Sequence, residues 1–198
     1  VIQGVEAVYR QKAEENAVVF PLVFHEFDPG KADMDIKSGW LKGSGIFGLK
    51  QVSWFGANPA KDLPALIGLV VVFDDQTGEP IGITDGSYIT GIRTGAAGAL
   101  GAKYLARPDS KTLLVVGAGH VATFQVAATL KLMKNIEQVL VYDAIDFSAA
   151  RRFAETIEEK VSEDFGVASA HKIQYTAVEQ IESATRESEI NITVTPVP

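Results

Sequence analysis

The stretch that decides the fold runs from Thr112 to Ala122 and reads Thr-Leu-Leu-Val-Val-Gly-Ala-Gly-His-Val-Ala. Its apolar run ends at Gly117, residues 117–122 fit the pattern G-x-G-x-x-G/A, and a helical pattern follows. This order is typical of the phosphate turn in a dinucleotide-binding βαβ unit. Gly117 would make the tight turn, Gly119 would let a pyrophosphate approach the backbone, and Ala122 would let the helix pack close to the sheet.

The start of the following helix is expected to supply the remaining contacts to the phosphates. His120 and Val121 lie in its first turn, where backbone N–H groups lack partners and the helix dipole favours negative charge. We therefore predict that both residues bind the cofactor through their backbone. The imidazole of His120 is assigned no catalytic role.

A second apolar strand, residues 138–143, ends in an acid that bears on the choice of cofactor. Asp143 follows Gly119 at close to the roughly 20-residue spacing expected of the acid that binds the adenosine ribose. A carboxylate there accepts hydrogen bonds from ribose hydroxyls and repels a 2′-phosphate, which favours NAD over NADP. Residues 144–146 supply no cation, although Arg151 and Arg152 lie further on. The alternative is that Asp143 is an ordinary strand-end acid or helix cap.

Composition narrows the classes of protein and partner. The chain has 198 residues, of which 46% are hydrophobic, and a formal net charge of −7 with scattered basic residues. Nucleic acid and anionic membranes are therefore not expected as partners. Cysteine is absent, which excludes disulfides and thiolate chemistry, and the isolated histidines give no support for a metal site. No membrane span or signal peptide is visible, so a cytoplasmic location is expected. The two ends of the sequence suggest a piece of a longer protein.

The order of predicted elements indicates an α/β protein with two domains. Residues 1–107 are predicted to form an α+β domain with an antiparallel sheet, including strands at 17–27, 45–55, 66–73 and 80–84 and a helix at 88–105. Residues 108–198 alternate strand and helix, which predicts a Rossmann-type doubly wound parallel sheet. Its predicted strands are 112–116, 138–143, 172–176 and 190–195, and its predicted helices are 120–134, 147–161 and 177–184.

Several further motifs together resemble one family. They are Phe47-Gly-Leu-Lys50, Asn58-Pro59, Leu63-Pro64, Phe73-Asp-Asp-Gln-Thr-Gly-Glu-Pro80, Thr90-Gly-Ile-Arg-Thr-Gly-Ala-Ala97 and Lys103-Tyr-Leu-Ala-Arg107. Followed by the glycine turn, this order resembles the ornithine cyclodeaminase and mu-crystallin family over roughly residues 30 to 198. The resemblance implies NAD as cofactor, a small amino-acid or imino-acid substrate, and a homodimer formed through the first domain.

The resemblance also implies roles for individual residues. Lys50, in a strand otherwise built for burial, would contact the substrate amino acid, and Arg93 would hold its carboxylate. Thr94 would bind the cofactor phosphate, and Thr195, with Pro196, would pass the nicotinamide ring. Each residue also has a purely structural alternative. Lys50 would be a strand lysine whose ammonium reaches solvent, and Arg93 would form a salt bridge with an acid such as Asp85. Thr94 would make a local hydroxyl hydrogen bond, and Thr195 with Pro196 would simply end a strand.

Two departures from the family pattern leave the reaction open. Residues 21–23 read Pro-Leu-Val, where members that handle ornithine carry Pro-x-Arg, and the family's catalytic aspartate would lie beyond Pro198. The first hypothesis is an NAD-dependent conversion through an imine, as in ornithine cyclodeamination to proline and ammonia. The alternatives are an alanine-type dehydrogenase, a ketimine reductase, and a non-catalytic protein that binds a small ligand.

Overall fold

The structure is a computed structural model that describes residues 1–195 and divides into two units. The first unit is Gln3–Thr90, and the second runs from Gly91 onward and includes Val1 and Ile2. The division falls within a helix, upstream of the boundary that the sequence places at residues 107–108. The functional assignment of the two predicted domains stays a prediction.

The first unit consists of a helix followed by an antiparallel sheet. Helix α1 is Ile2–Ala13, and the strands are β1 (Ala17–Val19), β2 (Val23–Asp28), β3 (Ala32–Leu41), β4 (Ile46–Phe55), β5 (Leu66–Asp74) and β6 (Pro80–Asp85). The strand order is β1-β3-β4-β5-β6, and β2 also pairs with β3. Short 3₁₀ turns at Lys42–Ser44 and Asn58–Lys61 lie in the connections on either side of β4.

Two parts of this sheet differ from the sequence prediction. The run at 17–27 is not one strand but β1 and β2, with a break that contains Pro21, a residue without an N–H for the ladder. Strand β3 is not predicted at all, although its residues alternate. The charged residues Asp35 and Lys37 bond to each other on one face of β3 and give the segment the composition of a loop.

One face of this sheet exposes large apolar side chains. Ile67 and Leu69 on β5 are 49% and 44% exposed, and Ile81 and Ile83 on β6 are 58% and 69% exposed. Ile83 lies opposite Val71 in the ladder, so the alternation of strands puts Ile67, Leu69 and Ile83 on the same side, and Ile81 lies next to them along β6 at a register shift. We refer to these four residues as the apolar sheet face. Among Gln3–Thr90, the buried apolar residues are Ala17, Ala32 and Val52 alone.

The second unit alternates helices with parallel strands, as predicted. Helix α2 (Ser87–Leu105) begins in the first unit and continues into the second, and is followed by β7 (Thr112–Val116), α3 (His120–Leu132), β8 (Gln138–Tyr142), α4 (Phe147–Phe165), β9 (Gln174–Ala177), α5 (Ile181–Glu187) and β10 (Ile190–Thr193). The strand order is β10-β7-β8-β9, and all pairs are parallel. Strands β8 and β9 are therefore added on one side of β7, and β10 then pairs with the other side of β7.

The core of this unit lies on both faces of the parallel sheet. Leu113 and Val115 belong to a buried cluster with residues of α3 and α4, and Leu114 belongs to a second cluster with Ala184 of α5. Strands covered on both faces read as continuous apolar runs, which is why β7 is recognisable from sequence. The α/β class and the mixture of antiparallel and parallel sheets agree with the prediction.

Candidate functional site

Gly117 ends β7 in a conformation that excludes other residues. Its φ is +106°, its N–H donates to the Tyr142 carbonyl at 2.7 Å, and a Cβ built on it would lie 3.1 Å from the Val194 carbonyl oxygen. The turn lies between the carboxyl ends of β8 and β10, where the direction of sheet building reverses. Ligands of open α/β sheets bind in this crevice.

Gly119 is the N-cap of α3, and the space in front of it is open. A Cβ built on Gly119 would meet nothing within 4 Å, and no side chain caps the helix. The first N–H groups of α3, from His120 and Val121, have no carbonyl one turn earlier to bond. Ala122 is fully buried against the sheet, as its place in the motif predicts. The open cradle and the uncapped helix end fit a pyrophosphate.

His120 is exposed and packs its ring edge-to-face on Phe124, with the two centroids 5.0 Å apart. This contact holds the imidazole along the helix and gives it a packing role. The expectation that the backbone of His120, and not its ring, serves the cofactor stays a prediction.

Asp143 bonds directly to the glycine turn. One of its carboxylate oxygens accepts the N–H of Ala118 at 3.0 Å, and the other accepts the N–H groups of Ile145 and Asp146 at 3.0 and 3.1 Å. Partial burial works to raise the pKa of Asp143, but these N–H groups outweigh it, and the pKa lies below its usual value. The carboxylate therefore stays charged, caps the loop after β8, and keeps about one of its four acceptor positions.

The two arginines after β8 lie on α4. Arg152 donates to Asp146 at 3.2 Å, within an ion pair on the first turns of that helix, and Arg151 is exposed. Among residues 1–195, no hydrogen bond or ion pair joins either arginine to the Asp143 carboxylate.

Arg93 and Thr94 lie on α2 and are both half-buried. The backbone carbonyl of Thr94 accepts a hydrogen bond from the side-chain amide of Gln125 on α3 at 3.0 Å. Among the described residues of its own unit, Arg93 has no ion pair. Asp85, the acid named as a structural partner for it, caps the start of α2 by accepting the Tyr88 N–H at 2.8 Å.

Lys50 lies on β4 in the first unit and is half-buried. Its ammonium donates to the Thr90 hydroxyl at 2.8 Å, and that hydroxyl in turn donates to the Gly86 carbonyl at 2.7 Å. Val70 lies opposite Lys50 on β5, so the Lys50 side chain has an apolar neighbour on the sheet. A fixed ammonium in such surroundings can bind an anion or a carbonyl oxygen.

Most of the predicted cofactor residues of the second unit lie at one edge of the parallel sheet. Asp143 bonds to the Ala118 N–H between Gly117 and Gly119, and Thr195 follows β10 at the same edge, one residue after Val194. Pro196 lies outside the described residues. Lys50 belongs to the first unit, and Arg93 and Thr94 belong to the second.

Three residues near these sites make contacts that the sequence does not predict, although it places Gln125 on the first turns after Gly119. Thr90 holds the Lys50 ammonium, Gln125 holds the Thr94 carbonyl, and Val194 crowds Gly117. The sequence contains only weak indications of these contacts. Thr90 carries a hydroxyl one helical turn before Thr94, and Gln125 is a polar residue within the apolar pattern of α3. Each role depends on which elements become neighbours.

Among residues 1–195, no group of three or more His, Cys, Asp or Glu side chains is placed to hold a metal ion. No helix in that range has the length and apolar character needed to cross a membrane.

Comparison with known proteins gives a family and relatives of known chemistry. The model of the ornithine cyclodeaminase/mu-crystallin family matches residues 1–197. An alanine dehydrogenase of Archaeoglobus fulgidus is 35% identical over 159 residues, which are 80% of this chain and 48% of that protein. The chain therefore spans about half the length of this relative.

Two solved structures share the fold over almost the whole chain. The Thermococcus litoralis Δ1-pyrroline-2-carboxylate reductase, in complex with NADH and L-proline, has a TM-score of 0.83 and 32% identity, covering 97% of this chain and 56% of its own. An archaeal alanine dehydrogenase dimer with bound NAD has a TM-score of 0.82 and 32% identity, covering 98% and 55%. The cofactor expected from the sequence is thus the one that these relatives hold. The chain belongs to the ornithine cyclodeaminase/mu-crystallin family.

Proposed function

We propose that this protein binds NAD at the glycine turn and interconverts a small α-amino acid and the corresponding imine. The observation that carries the proposal is the open cradle at Gly119, bounded by the charged Asp143 at the switch point of the parallel sheet. The pyrophosphate would lie on the N–H groups of α3, and the adenosine ribose would bond to Asp143. When bound, NAD accepts a hydride from Cα of an amino acid, and NADH returns one to an imine.

Two cations are candidates for contacts with the substrate, one in each unit. Arg93 offers a planar guanidinium that can bind a carboxylate through two parallel hydrogen bonds. Lys50, oriented by Thr90 within the first unit, offers an ammonium for which the family resemblance implies a substrate contact. Holding the carboxylate fixes Cα relative to the cofactor, which lowers the entropic part of the barrier.

Two observations bear on the choice between a net redox reaction and cyclodeamination. Relatives with 32–35% identity are named as an alanine dehydrogenase and a Δ1-pyrroline-2-carboxylate reductase. Residues 21–23 lack the arginine of members that handle ornithine. We therefore favour oxidation or reduction with net change of the cofactor. Cyclodeamination of ornithine is the alternative, and the family model includes it by name.

The first domain is proposed to form a homodimer. The apolar sheet face exposes four large side chains, and the unit that carries it buries few apolar residues of its own among those described. Such a surface is typical of a protein interface. One of the similar solved structures is described as a dimer.

The experiment is a turnover assay of the natural protein with a panel of amino and imino acids. Stoichiometric loss of NADH with Δ1-pyrroline-2-carboxylate, or gain of NADH with alanine or proline, would support the proposal. Proline and ammonia formed from ornithine with catalytic NAD would support cyclodeamination. No turnover with any of these substrates would contradict both and favour a binding protein.

A pair of variants tests the substrate contact. Lys50→Met removes the ammonium while keeping the length of the side chain, and we expect kcat/KM to fall roughly 10- to 100-fold. The control is Lys37→Met, because Lys37 is the cross-strand neighbour of Lys50 on β3 and is exposed. Equal activity of the two variants would contradict the role of Lys50.

A further inference from the structure

Gln125 is a polar side chain buried in the second unit, and the proposed function gives it no role. It lies on α3 beyond the first turn that would bind the phosphates, and only 4% of its surface is exposed. Its neighbours along the helix, Phe124 and Val126, are also buried. Burying an amide costs free energy unless both of its ends are bonded.

Only one end of this amide is bonded. The Nε2 group donates to the Thr94 carbonyl at 3.0 Å, and Oε1 is buried with no hydrogen-bond partner among residues 1–195. A methionine or leucine of similar volume would fill the site without an unpaired oxygen. Packing alone therefore does not account for a glutamine at this position.

Helix α2 is built to admit the amide. A Cβ placed on Gly98 would lie 2.2 Å from Gln125 Oε1, so only glycine leaves room for it. A Cβ placed on Gly95 would lie 2.4 Å from the Phe124 carbonyl oxygen, so the two helix backbones are in close contact. The Thr94 carbonyl also accepts the regular helical bond from Gly98, and the amide of Gln125 takes its second acceptor position.

We propose that Gln125 is a positioning residue that sets the register of α2 on α3. Through the Thr94 carbonyl it would fix Arg93 and Thr94 relative to the glycine turn, which starts the same helix that carries Gln125. This inference rests on the proposed function for its catalytic meaning. The contact between Gln125 and Thr94 stands independently of it.

The test uses Gln125→Met, Gln125→Glu and a control on the same helix in the full chain. Gln125→Met fills the space but cannot donate, so we expect the affinity for NADH to fall roughly 3- to 10-fold, and amide hydrogen exchange at residues 91–98 to rise. The control is Thr129→Val, which removes a different buried polar group without a partner, the Thr129 hydroxyl, from α3. It should leave both measurements unchanged.

Gln125→Glu gives a readout that a merely structural residue would not produce. A protonated glutamate can donate its O–H to the Thr94 carbonyl, whereas the ionised form would set a buried charge against that oxygen. Burial without a cation raises the pKa of such a group. NADH affinity of this variant should therefore match the wild type at low pH and fall as the pH rises through that pKa.

The outcomes separate the two proposals. Wild-type exchange and wild-type NADH affinity in Gln125→Met, or a pH profile of Gln125→Glu identical to the wild type, would overturn the positioning role. If the wild type itself binds no NADH, the proposed function fails. In that case, amide hydrogen exchange at residues 91–98 in Gln125→Met and Thr129→Val still tests whether Gln125 fixes the position of α2 on α3.

Discussion

Gly117 and Gly119 stand two residues apart in the same turn, and the fold needs only the first of them. Gly117 has a positive φ and lies against the Val194 backbone, so its lack of a side chain is a requirement of the chain itself. Gly119 has a φ of −84° and open space around it, so the fold would accept a side chain there. Under the proposed function, the bound pyrophosphate is what excludes a side chain at Gly119.

This difference predicts opposite effects of two substitutions. Gly119→Asp places a favourable N-cap on α3, and we expect the free energy of unfolding to stay level or rise by up to about 0.5 kcal/mol. The same carboxylate fills the cradle and repels a pyrophosphate, so NADH affinity should fall at least about tenfold. Thermal unfolding and calorimetric titration measure the two effects.

The matched control is Gly117→Ala. The positive φ and the 3.1 Å approach to Val194 should lower the free energy of unfolding by about 1–3 kcal/mol. If Gly119→Asp retains wild-type NADH affinity, the cradle is not the phosphate site.

Asp143 links the glycine turn to the pH dependence of stability. Because backbone N–H groups lower the pKa of Asp143 below 3.8 despite its partial burial, its charged form stabilises the fold above that pH. This contribution is lost as the pH falls through the lowered pKa. In Asp143→Asn, the free energy of unfolding should therefore decline less steeply as the pH falls below about 4. Parallel curves for the two proteins in chemical denaturation would contradict this account.

At the scale of elements, the contact between α2 and α3 depends on missing side chains. Gly91, Gly95 and Gly98 would each place a Cβ under 3 Å from Phe124 or Gln125, whereas Gly101 would meet nothing within 4 Å. Close approach of the two helices is therefore what these three glycines provide.

Two alanine substitutions on α2 test this contact. Gly95→Ala forces the helices apart, and we expect the free energy of unfolding to fall by about 1–3 kcal/mol. Gly101→Ala is the control, because it gains helix propensity without a clash and should stabilise by about 0.5–1 kcal/mol. Equal shifts of the two variants in the same direction in thermal denaturation would show that the helices are not in close contact.

Elements with a local signal were predictable, and those that depend on partners were not. The residues of β7 are predicted at their observed bounds because a strand buried on both faces is a continuous apolar run. Helix α4 runs to Phe165, past its predicted end at 161, because Gly166 supplies the left-handed cap at φ +58°. Strand β3 is not predicted because its charged residues give it the composition of a loop, and the bond between Asp35 and Lys37 forms only once the strand brings both side chains to one face.

At the scale of the whole molecule, the apolar sheet face predicts association. Ile83→Glu would place a charge in the proposed interface, and we expect a dimer to shift toward monomer at micromolar concentration. Light scattering after size exclusion measures the mass. The control is Thr84→Glu, because Thr84 neighbours Ile83 on β6 and points to the other face. A wild type that is monomeric at all concentrations would contradict the proposed dimer.

The candidate site was predictable only as far as its motifs are local. The glycine turn and Asp143 lie on consecutive βα connections. Their separation in the sequence therefore predicts that they lie close together in the fold. The bonds from Lys50 to Thr90 and from Gln125 to Thr94 join residues far apart in the chain, and no pattern within a window of sequence encodes them. The sequence therefore predicts the glycine turn and Asp143. It does not predict the contacts of Thr90 and Gln125, because these depend on tertiary structure.

The proposed function requires that NAD binds in the crevice at Gly117, Gly119 and Asp143. Calorimetric titration of the full chain with NADH and, separately, with NADPH measures this binding. We expect saturable binding of one NADH per chain, at least about tenfold tighter than NADPH, because the Asp143 charge repels a 2′-phosphate. Absence of saturable NADH binding, or equal affinity for the two dinucleotides, would contradict it.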